Sequence, residues 1–370
     1  MNKTREAFFA LLRAGLWEQS VRLLPFEPLE FDALYELADE QSVVGLLAAG
    51  LEHVGDRKVI KPEALPFLKK VFSLESRNTE MNAFIESLIL KLRDAGIYSL
   101  LIKGQGVAQS YERPLWRSSG DVDLLLGESQ YEKAKTLLIP VSVSVDEEDK
   151  KRKHFGMTIN SWTVELHGTL HGGLPLRINR VLDQVQEDSL EHGSVYGWRN
   201  GNTDVLLPSA DNSVMIVFTH ILQHFFRGGI GLRQVCDWCR LLWTYRGSIN
   251  LDLLEKRLRE MRLMTEWKAF AAYAVDYLGM PVDALPFYDS TSHWSHKADR
   301  INAFILEVGN FGRNRDKSYY DKYPYVVYKA ISLWSHVKDF YRHLMIFPID
   351  SLSVFVRTII VGMNAVGNGK

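Results

Sequence analysis

The spacing of hydrophobic and polar positions divides the chain into a helical, a mixed and a second helical region. Between residues 4 and 94, apolar side chains recur at intervals of three and four, which predicts amphipathic helices. Turn-forming residues interrupt this period at residues 24–26 and 55–56. The helical period returns after Pro208, where Ser209 is a candidate helix cap. The pattern therefore predicts helices at both ends of the chain.

Short apolar runs between residues 97 and 207 predict strands, because they are short and end at turn-forming residues. The predicted strands are Tyr98–Ile102, Val122–Leu126, Val141–Val145, Phe155–Asn160 and Thr163–His167. A short helix is predicted at Val107–Tyr111. We therefore expect an α+β fold with a small mixed sheet: residues 1–94 form an N-terminal helical region, 95–207 the core and 208–370 a C-terminal helical domain.

The C-terminal part of the chain follows the helical period almost throughout. The predicted helices are one that contains Val214–Ile221, then Leu232–Tyr245, Leu251–Leu263, Glu266–Leu278 and Ala298–Val308. The polar stretch Gly309–Tyr325 predicts a loop. The apolar stretch Ile346–Met363 contains Pro348, Asp350 and Arg357, so it predicts a packed terminal helix rather than a membrane span.

Composition and charge are those of an ordinary globular protein. Of 370 residues, 44 are Lys or Arg and 45 are Asp or Glu, so the formal net charge is −1. A nucleic acid is not the expected partner, because such binders carry a basic surface. The only cysteines, Cys236 and Cys239, share one predicted helix, which excludes a disulfide framework. With no signal-peptide pattern at the start of the chain, we expect a cytoplasmic protein.

Two aspartates separated by one residue carry the first chemical signal. Asp121 and Asp123 lie at the start of a predicted strand, where alternate side chains point to the same face. Their charges repel each other, and a divalent cation such as Mg²⁺ relieves that repulsion. Glu165, on another predicted strand, is the candidate third carboxylate. The bare spacing also fits a solvated strand edge, and Glu165 also fits the exposed position of an alternating strand.

The residues around these aspartates resemble a known signature. The residues concerned are Lys103-Gly104, Tyr111, Arg117 and Gly120-Asp121-Val122-Asp123, with weaker similarity at Glu165-Leu166-His167 and around Arg233 and Asp237. A glycine turn followed by an Asp-x-Asp strand resembles the polymerase-beta-type nucleotidyltransferase superfamily. More narrowly, the set is similar to a bacterial family of uncharacterised nucleotidyltransferases. The resemblance implies that residues 95–207 form a nucleotidyltransferase core.

The resemblance implies roles for single residues. Asp121, Asp123 and Glu165 would be the catalytic residues and would bind Mg²⁺ or Mn²⁺, and Glu165 would also help to activate the acceptor hydroxyl. The residues implied at the nucleotide are Lys103, Gly104, Gln105, Arg117 and Gly120. Backbone amides of the glycine turn would approach the triphosphate.

The turn departs from the superfamily pattern in one residue. Gly104 is followed by Gln105, whereas the superfamily usually has Gly-Ser or Gly-Gly there. A hydroxyl that commonly touches a phosphate is therefore absent. Lys103 and Arg117 are the candidates to replace that contact, Lys as a point charge and Arg as a bidentate donor. Both also have structural interpretations, Lys103 as a surface strand end and Arg117 as the partner of a nearby carboxylate.

The activity implied by the resemblance is transfer of a nucleoside monophosphate from a nucleoside triphosphate, such as ATP, to an acceptor, with release of pyrophosphate. The acceptor is open among sugars, other small molecules, peptides and proteins. One alternative is an inactive module that binds nucleotide. A second is a metal-dependent phosphohydrolase that would depend on His167 or His220. A helical scaffold protein with an incidental acidic patch is the third.

Other conspicuous residues have structural interpretations. His220 and His224 are four residues apart, a spacing that zinc sites use, but Phe225-Phe226 follow directly and favour a core or interface position. The pair Cys236 and Cys239 predicts buried helix cysteines, with Asp237 between them as a bonding partner across an interface.

Overall fold

A small mixed sheet lies between two sets of helices, so the prediction of an α+β fold is confirmed. The computed structural model describes residues 3–315 and 325–367. Part of the predicted loop Gly309–Tyr325, residues 316–324, lies outside the described residues. No helix of the described ranges is long and apolar enough to cross a membrane.

The N-terminal region is helical, as predicted. Its helices are α1 (Lys3–Trp17), α2 (Phe31–Glu40), α3 (Val44–Glu52) and α4 (Lys61–Asp94). Helices α1 and α3 pack closely because small residues lie where they cross. A Cβ added to Gly15 would lie 1.8 Å from the carbonyl oxygen of Leu46, and one added to Gly50 would lie 2.1 Å from that of Leu11. The turn-formers recognised in the sequence separate these helices.

The central sheet contains five strands in the order β1-β2-β5-β4-β3. The strands are β1 (Ser99–Leu101), β2 (Asp121–Leu126), β3 (Ser144–Val145), β4 (His154–Ile159) and β5 (Trp162–His167). The β2–β5 pair is parallel and the other three pairs are antiparallel. The short helix α5 spans Gln105–Ala108. The strand predicted at Val141–Val145 is wrong in its first half, because Pro140 has a restricted φ and lies in a 3₁₀ turn at Ile139–Val141.

Four elements of the core were not predicted. They are α6 (Glu128–Leu138), α7 (Leu176–Leu190) and a hairpin of β6 (Val195–Asn200) and β7 (Thr203–Pro208). The hairpin packs against α4 and β1. Its signal is present in the sequence, since Asn200-Gly201 is a typical tight-turn pair and Gly201 has a φ of 55°. The irregular alternation of β6 obscured it.

The C-terminal helices match the periodicity well. They are α8 (Ala210–Arg227), α9 (Leu232–Tyr245), α10 (Leu251–Met261), α11 (Met264–Asp276), α12 (Ser292–Val308), α13 (Tyr325–Leu344) and α14 (Pro348–Gly367). The Oγ of Ser209 accepts a hydrogen bond from the amide of Asn212, which confirms the predicted cap of α8. Helix α9 has the predicted bounds.

The buried apolar residues form two clusters. One lies between the sheet, α4 and α6 and includes Val122, Leu124 and Val164. The larger one joins residues of all three predicted regions, for example Leu11, Leu125 and Trp238. The two faces of β2 therefore contact different clusters. That residues 1–94, 95–207 and 208–370 are separate domains stays a prediction.

One buried acidic residue links α11 to the last helix. Glu266 is 4% exposed, and it lies beside Asp350, which forms an ion pair with Arg177 of α7. Burial, followed by the charge of Asp350, raises the pKa of Glu266 to about 8. The folded protein therefore retains a proton on Glu266 at a pH where the unfolded chain has lost it.

This proton makes folding stability depend on pH. Stability falls as the pH rises from the ordinary value of 4.5 to about 8, because the folded state binds more protons than the unfolded state in that window. We expect Glu266→Gln to reduce the pH dependence of the free energy of unfolding between pH 5 and 8, measured by denaturant titration. The exposed Glu36→Gln is the matched control. Parallel pH profiles of the wild type and Glu266→Gln would contradict the expectation.

Candidate active site

The three predicted acidic residues lie on one face of two paired strands. In the parallel β2–β5 pair, Asp123 is in register with Glu165, and Asp121 is two residues before Asp123. Residues in register on neighbouring strands point to the same face. Asp121 and Glu165 line a cavity of about 320 Å³ on this side of the sheet. Asp123 is 1% exposed and lies beneath them.

Lys103 and His167 neutralise the buried carboxylate of Asp123. The Nζ of Lys103 lies 2.7 Å from Oδ1 of Asp123, and Nε2 of His167 lies 2.9 Å from the same oxygen. Burial works to raise the pKa of Asp123, but the two cationic groups lower it below its usual value. Burial likewise disfavours the charge of Lys103, but attraction to the three carboxylates raises its pKa. Asp123 and Lys103 thus remain charged.

Asp121 has the opposite electrostatic environment. The negative charge of Asp123 and then burial raise the pKa of Asp121. The side chain is half-buried and lines the cavity. A cation that approached Asp121 from the cavity would relieve this repulsion.

Two histidines surround Glu165 and form a group of metal-ligand type. Nε2 of His154 lies 3.0 Å from Oε2 of Glu165, and Nε2 of His167 lies 3.5 Å from it. One ligand atom from each of the three residues lies within 4.8 Å of the others. Hydrogen bonds from His154 and His167 hold the pKa of Glu165 well below its usual range. Glu165 is therefore ionised over the physiological pH range.

His154 was not identified from the sequence. The predicted strand began at Phe155, one residue too late, which left His154 outside it. In the structure, His154 is opposite His167 in the antiparallel β4–β5 register, so both rings lie on the face that carries Glu165. The available signal was a pair of histidines: His154 directly precedes one predicted strand, and His167 ends the next one.

The glycine turn lies directly against the start of β2. Gly104 has φ 58° and ψ −122°, a conformation that favours glycine. A Cβ at this position would also lie 3.0 Å from the carbonyl oxygen of Asp121. The turn holds Lys103 at the cavity wall and begins α5. Glycine is therefore required for both the backbone angle and the close approach.

Two residues implied at the nucleotide have interior partners instead. The side-chain amide of Gln105 donates to Oδ1 of Asn78, and Gln105 is 1% exposed. Arg117 is buried and forms a bidentate ion pair with Asp237, at 2.7 Å for both bonds. Neither side chain lines the cavity. Contact of Arg117 with a phosphate would require this ion pair to open, so the structural interpretation of Arg117 is the one that the geometry favours.

The ion pair of Arg117 links the core to α9. Asp237 also accepts a hydrogen bond from the hydroxyl of Tyr111 at 2.7 Å. The prediction that Asp237 bonds across an interface is confirmed by these contacts. Gly120, between Arg117 and Asp121, has open space around its Cα and lies outside the cavity wall. The segment that precedes β2 is thus fixed to α9 through Arg117.

Helix α8 forms the opposite wall of the cavity. Thr219, His220, Gln223 and His224 line it at helical spacing. Burial and then the charge of Lys103 lower the pKa of His220 well below its usual value, and the same causes lower that of His224 to about 4. Both rings are therefore neutral at physiological pH. Both side chains are half-buried and line the cavity, and their purely structural role stays a prediction.

The two cysteines of α9 are buried and free, as predicted. Burial raises the pKa of both thiols, so neither is a reactive thiolate at neutral pH.

Comparison with known families agrees with this geometry. The model of a family described as an uncharacterised nucleotidyltransferase matches residues 27–279, which is more than half of the chain. The chain belongs to this nucleotidyltransferase family. No curated protein and no solved structure matches it significantly. The matched range contains every site residue predicted from the sequence, whereas α12, α13 and α14 lie beyond it.

The strained turn gives a test of the local geometry. We expect Gly104→Ala to destabilise the protein by about 1–3 kcal/mol, because the new Cβ needs an unfavourable backbone conformation and a close contact with β2. Gly247→Ala is the control, since Gly247 is exposed, has open space around it and has no positive φ. Equal denaturation midpoints for the two variants would show that the turn is not strained in this way.

Proposed function

We propose that the protein transfers a nucleoside monophosphate from a nucleoside triphosphate to an acceptor in a metal-dependent reaction. The observation that carries the proposal is the set of Asp121, Asp123 and Glu165 on one strand face, beside a glycine turn and a cavity. The family of the chain supports the same reaction class. A small mixed sheet with acidic residues on one face suits phosphoryl chemistry because the carboxylates can hold a divalent cation against phosphate oxygens.

His154, Glu165 and His167 lie close enough together to hold a divalent cation, and Asp121 faces the same cavity. The charge of Asp123 raises the pKa of Asp121, and Glu165 is ionised. A bound cation would therefore stabilise the negative charge of both carboxylates. His154 and His167 add imidazole nitrogens, which favour Mn²⁺ and similar ions over Mg²⁺. When bound, the metal would neutralise the charge that develops on the transferred phosphoryl group. We therefore propose Mn²⁺ as the better cofactor, with Mg²⁺ as an alternative.

Lys103 can pair either with Asp123 or with a phosphate group in the cavity. Its ammonium group now pairs with Asp123, and it also lines the cavity. A cation at the carboxylates would weaken the hold of Asp123 on Lys103, so that its ammonium can turn toward a phosphate oxygen. Arg233, which interacts electrostatically with Asp121 and lies 4.0 Å from Asp237, is a second positive charge on this side. We propose that Lys103, which lines the cavity, supplies the phosphate contact that Gln105 cannot make, whereas Arg233 lies outside the cavity wall.

The reaction would join the acceptor oxygen to the α-phosphorus and break the bond to the β-phosphate, so that pyrophosphate leaves. The hydroxyl proton of the acceptor goes to a base on the cavity wall. The low pKa of Glu165 makes it a better metal ligand than proton acceptor. We propose that the neutral ring of His224, which lines the cavity, accepts that proton.

The metal preference can be measured without any acceptor. We expect Asp121→Asn to weaken Mn²⁺ binding at least about tenfold, because a carboxylate ligand is lost. His154→Ala should weaken Mn²⁺ binding and leave Mg²⁺ binding nearly unchanged, because Mg²⁺ prefers oxygen ligands. Titration calorimetry with each metal gives both affinities. Asp204→Asn, on the exposed hairpin, is the control. Unchanged Mn²⁺ affinity in Asp121→Asn would exclude this site.

Activity is tested by the products formed from each nucleoside triphosphate. The protein is incubated with Mn²⁺ or Mg²⁺, α-labelled nucleotides and panels of sugars, hydroxylated small molecules, peptides and proteins. We expect pyrophosphate and a labelled acceptor, with a decrease of more than about 100-fold in Asp121→Asn, because the metal supplies several kcal/mol to the transition state. If the wild type binds nucleotide and releases no pyrophosphate, the protein is a binding module instead.

Phosphoester hydrolysis is the second candidate, and the His154–Glu165–His167 group is the observation that favours it. Mixed histidine and carboxylate sites also serve metal-assisted hydrolysis. The same incubation separates the two reactions, because a hydrolase releases orthophosphate from esters without an acceptor. The two activities therefore differ in products rather than in the ligand residues.

A further inference from the structure

A second cavity lies next to the candidate active site. Its volume is about 470 Å³, which is the size of many small-molecule sites. It is lined by the turn before β4, the C-terminal end of α8 and the last two helices. The residues used below are Arg152, Phe226, Arg227, Phe340, His343 and Phe355.

The two cavities share a wall. Arg152 lines both of them. Gly172 and Leu174 line the first cavity, and the glycine between them, Gly173, lies against Arg227 of the second. A Cβ added to Gly173 would lie 1.7 Å from Cζ of Arg227, so the guanidinium group rests directly on this backbone. A molecule in the second cavity is therefore separated from the carboxylate site by Arg152 and a short segment of backbone.

Positive charge in the second cavity is not fully compensated. Asp149 pairs with Arg152 at 3.4 Å, and Asp339 pairs with Arg315 at 2.5 Å. Arg227 is half-buried, and within residues 3–315 and 325–367 it has no hydrogen bond or ion pair. The charges that act on it are those of two further cations, Arg152 and Arg357, and of one carboxylate, Asp149, which is already paired with Arg152. A half-buried guanidinium group that no carboxylate contacts directly can bind an anion through its unused N–H donors.

The rest of the cavity is aromatic. Phe340 and Phe355 stack with ring centroids 4.1 Å apart, and Phe226 lies beside them. His343 is 3% exposed, and its Nε2 has no hydrogen-bond partner among the described residues. A backbone hydrogen bond joins its ring to Phe225. The lining thus matches a flat apolar body next to a polar group.

We propose that the second cavity binds the acceptor, and that the acceptor is a small molecule with an aromatic or flat apolar body and an anionic group. The anion pairs with Arg227, the apolar body packs against the phenylalanines, and the reactive hydroxyl passes Arg152 to reach the carboxylates. This assignment rests on the proposed transferase function.

Part of the second cavity lies outside residues 27–279, which the family model matches, and this supports a role in selecting the acceptor. Phe340, His343 and Phe355 belong to α13 and α14, beyond residue 279, where the family match ends. The carboxylates and the glycine turn lie within the match. One wall of the second cavity is therefore built from a part of the chain that the shared catalytic core does not include, as expected for a site that selects one acceptor.

The test is binding of simple probes to the full chain by titration calorimetry. The probes are 3-phenylpropionate, phenyl phosphate and 3-phenylpropanamide. The first carries a carboxylate, the second a phosphate and the third no charge, so their affinities show which group the protein recognises. We expect the wild type to bind at least one anion about tenfold more tightly than the amide. Arg227→Gln should remove this difference, and Arg227→Lys should retain part of it. Arg180→Gln, an exposed arginine on α7 outside both cavities, should behave as wild type.

Two results would overturn the inference. One is that neither anion binds the wild type better than the amide does. The other is that Arg227→Gln, with an unchanged melting temperature, binds the anions as the wild type does, because the probes then lie elsewhere.

Titration with Mn²⁺ and ATP distinguishes this failure from failure of the proposed function. If the wild type and Arg227→Gln bind the nucleotide equally while the anions fail to bind, only the acceptor site is wrong. If the anions bind through Arg227 and nucleotide does not bind at all, the cavity is a ligand site, and the transferase function and the acceptor role both fail.

Discussion

Charge balance beneath the cavity is the constraint on which the rest of the site depends. The parallel register of β2 and β5 brings Asp121, Asp123 and Glu165 to one face, where Asp123 is almost fully buried. Buried carboxylates at this density are costly unless they are paired. Lys103 and His167 neutralise Asp123, and two histidines hold Glu165. Asp121 is left with a raised pKa at the cavity wall, and this residual repulsion is what a metal ion would relieve.

The surrounding structure holds these charges in place from two sides. Gly104 lets the backbone turn against the start of β2, which brings Lys103 to Asp123. On the other side, the buried pair of Arg117 and Asp237 ties the lead into β2 to α9. Removing one partner of such a buried pair typically costs about 3–5 kcal/mol, because the other charge remains without compensation. The candidate site is therefore coupled to the packing of the C-terminal helices.

Much of the fold and part of the site followed from local patterns. Period-two alternation placed Asp121 and Asp123 on one face, and the helical period located α9 to the residue. Local patterns failed where the signal was weak, as in the irregular β6, or where one residue changed a boundary, as at His154. The partners of Arg117 and Gln105 could not be predicted, because Asp237 and Asn78 are distant in sequence.

The sequence by itself predicted the nucleotidyltransferase family and placed Asp121 and Asp123 on one strand face, because an Asp-x-Asp pair behind a glycine turn is a local arrangement of the backbone. Only the tertiary structure decided what surrounds them. Pairing of β4 with β5 brought His154 to Glu165, and packing of α8 against the sheet made His220 and His224 a cavity wall. Folding of the last helices onto α8 formed the second cavity with Arg227. These contacts join residues far apart along the chain, and no periodicity within one segment specifies them.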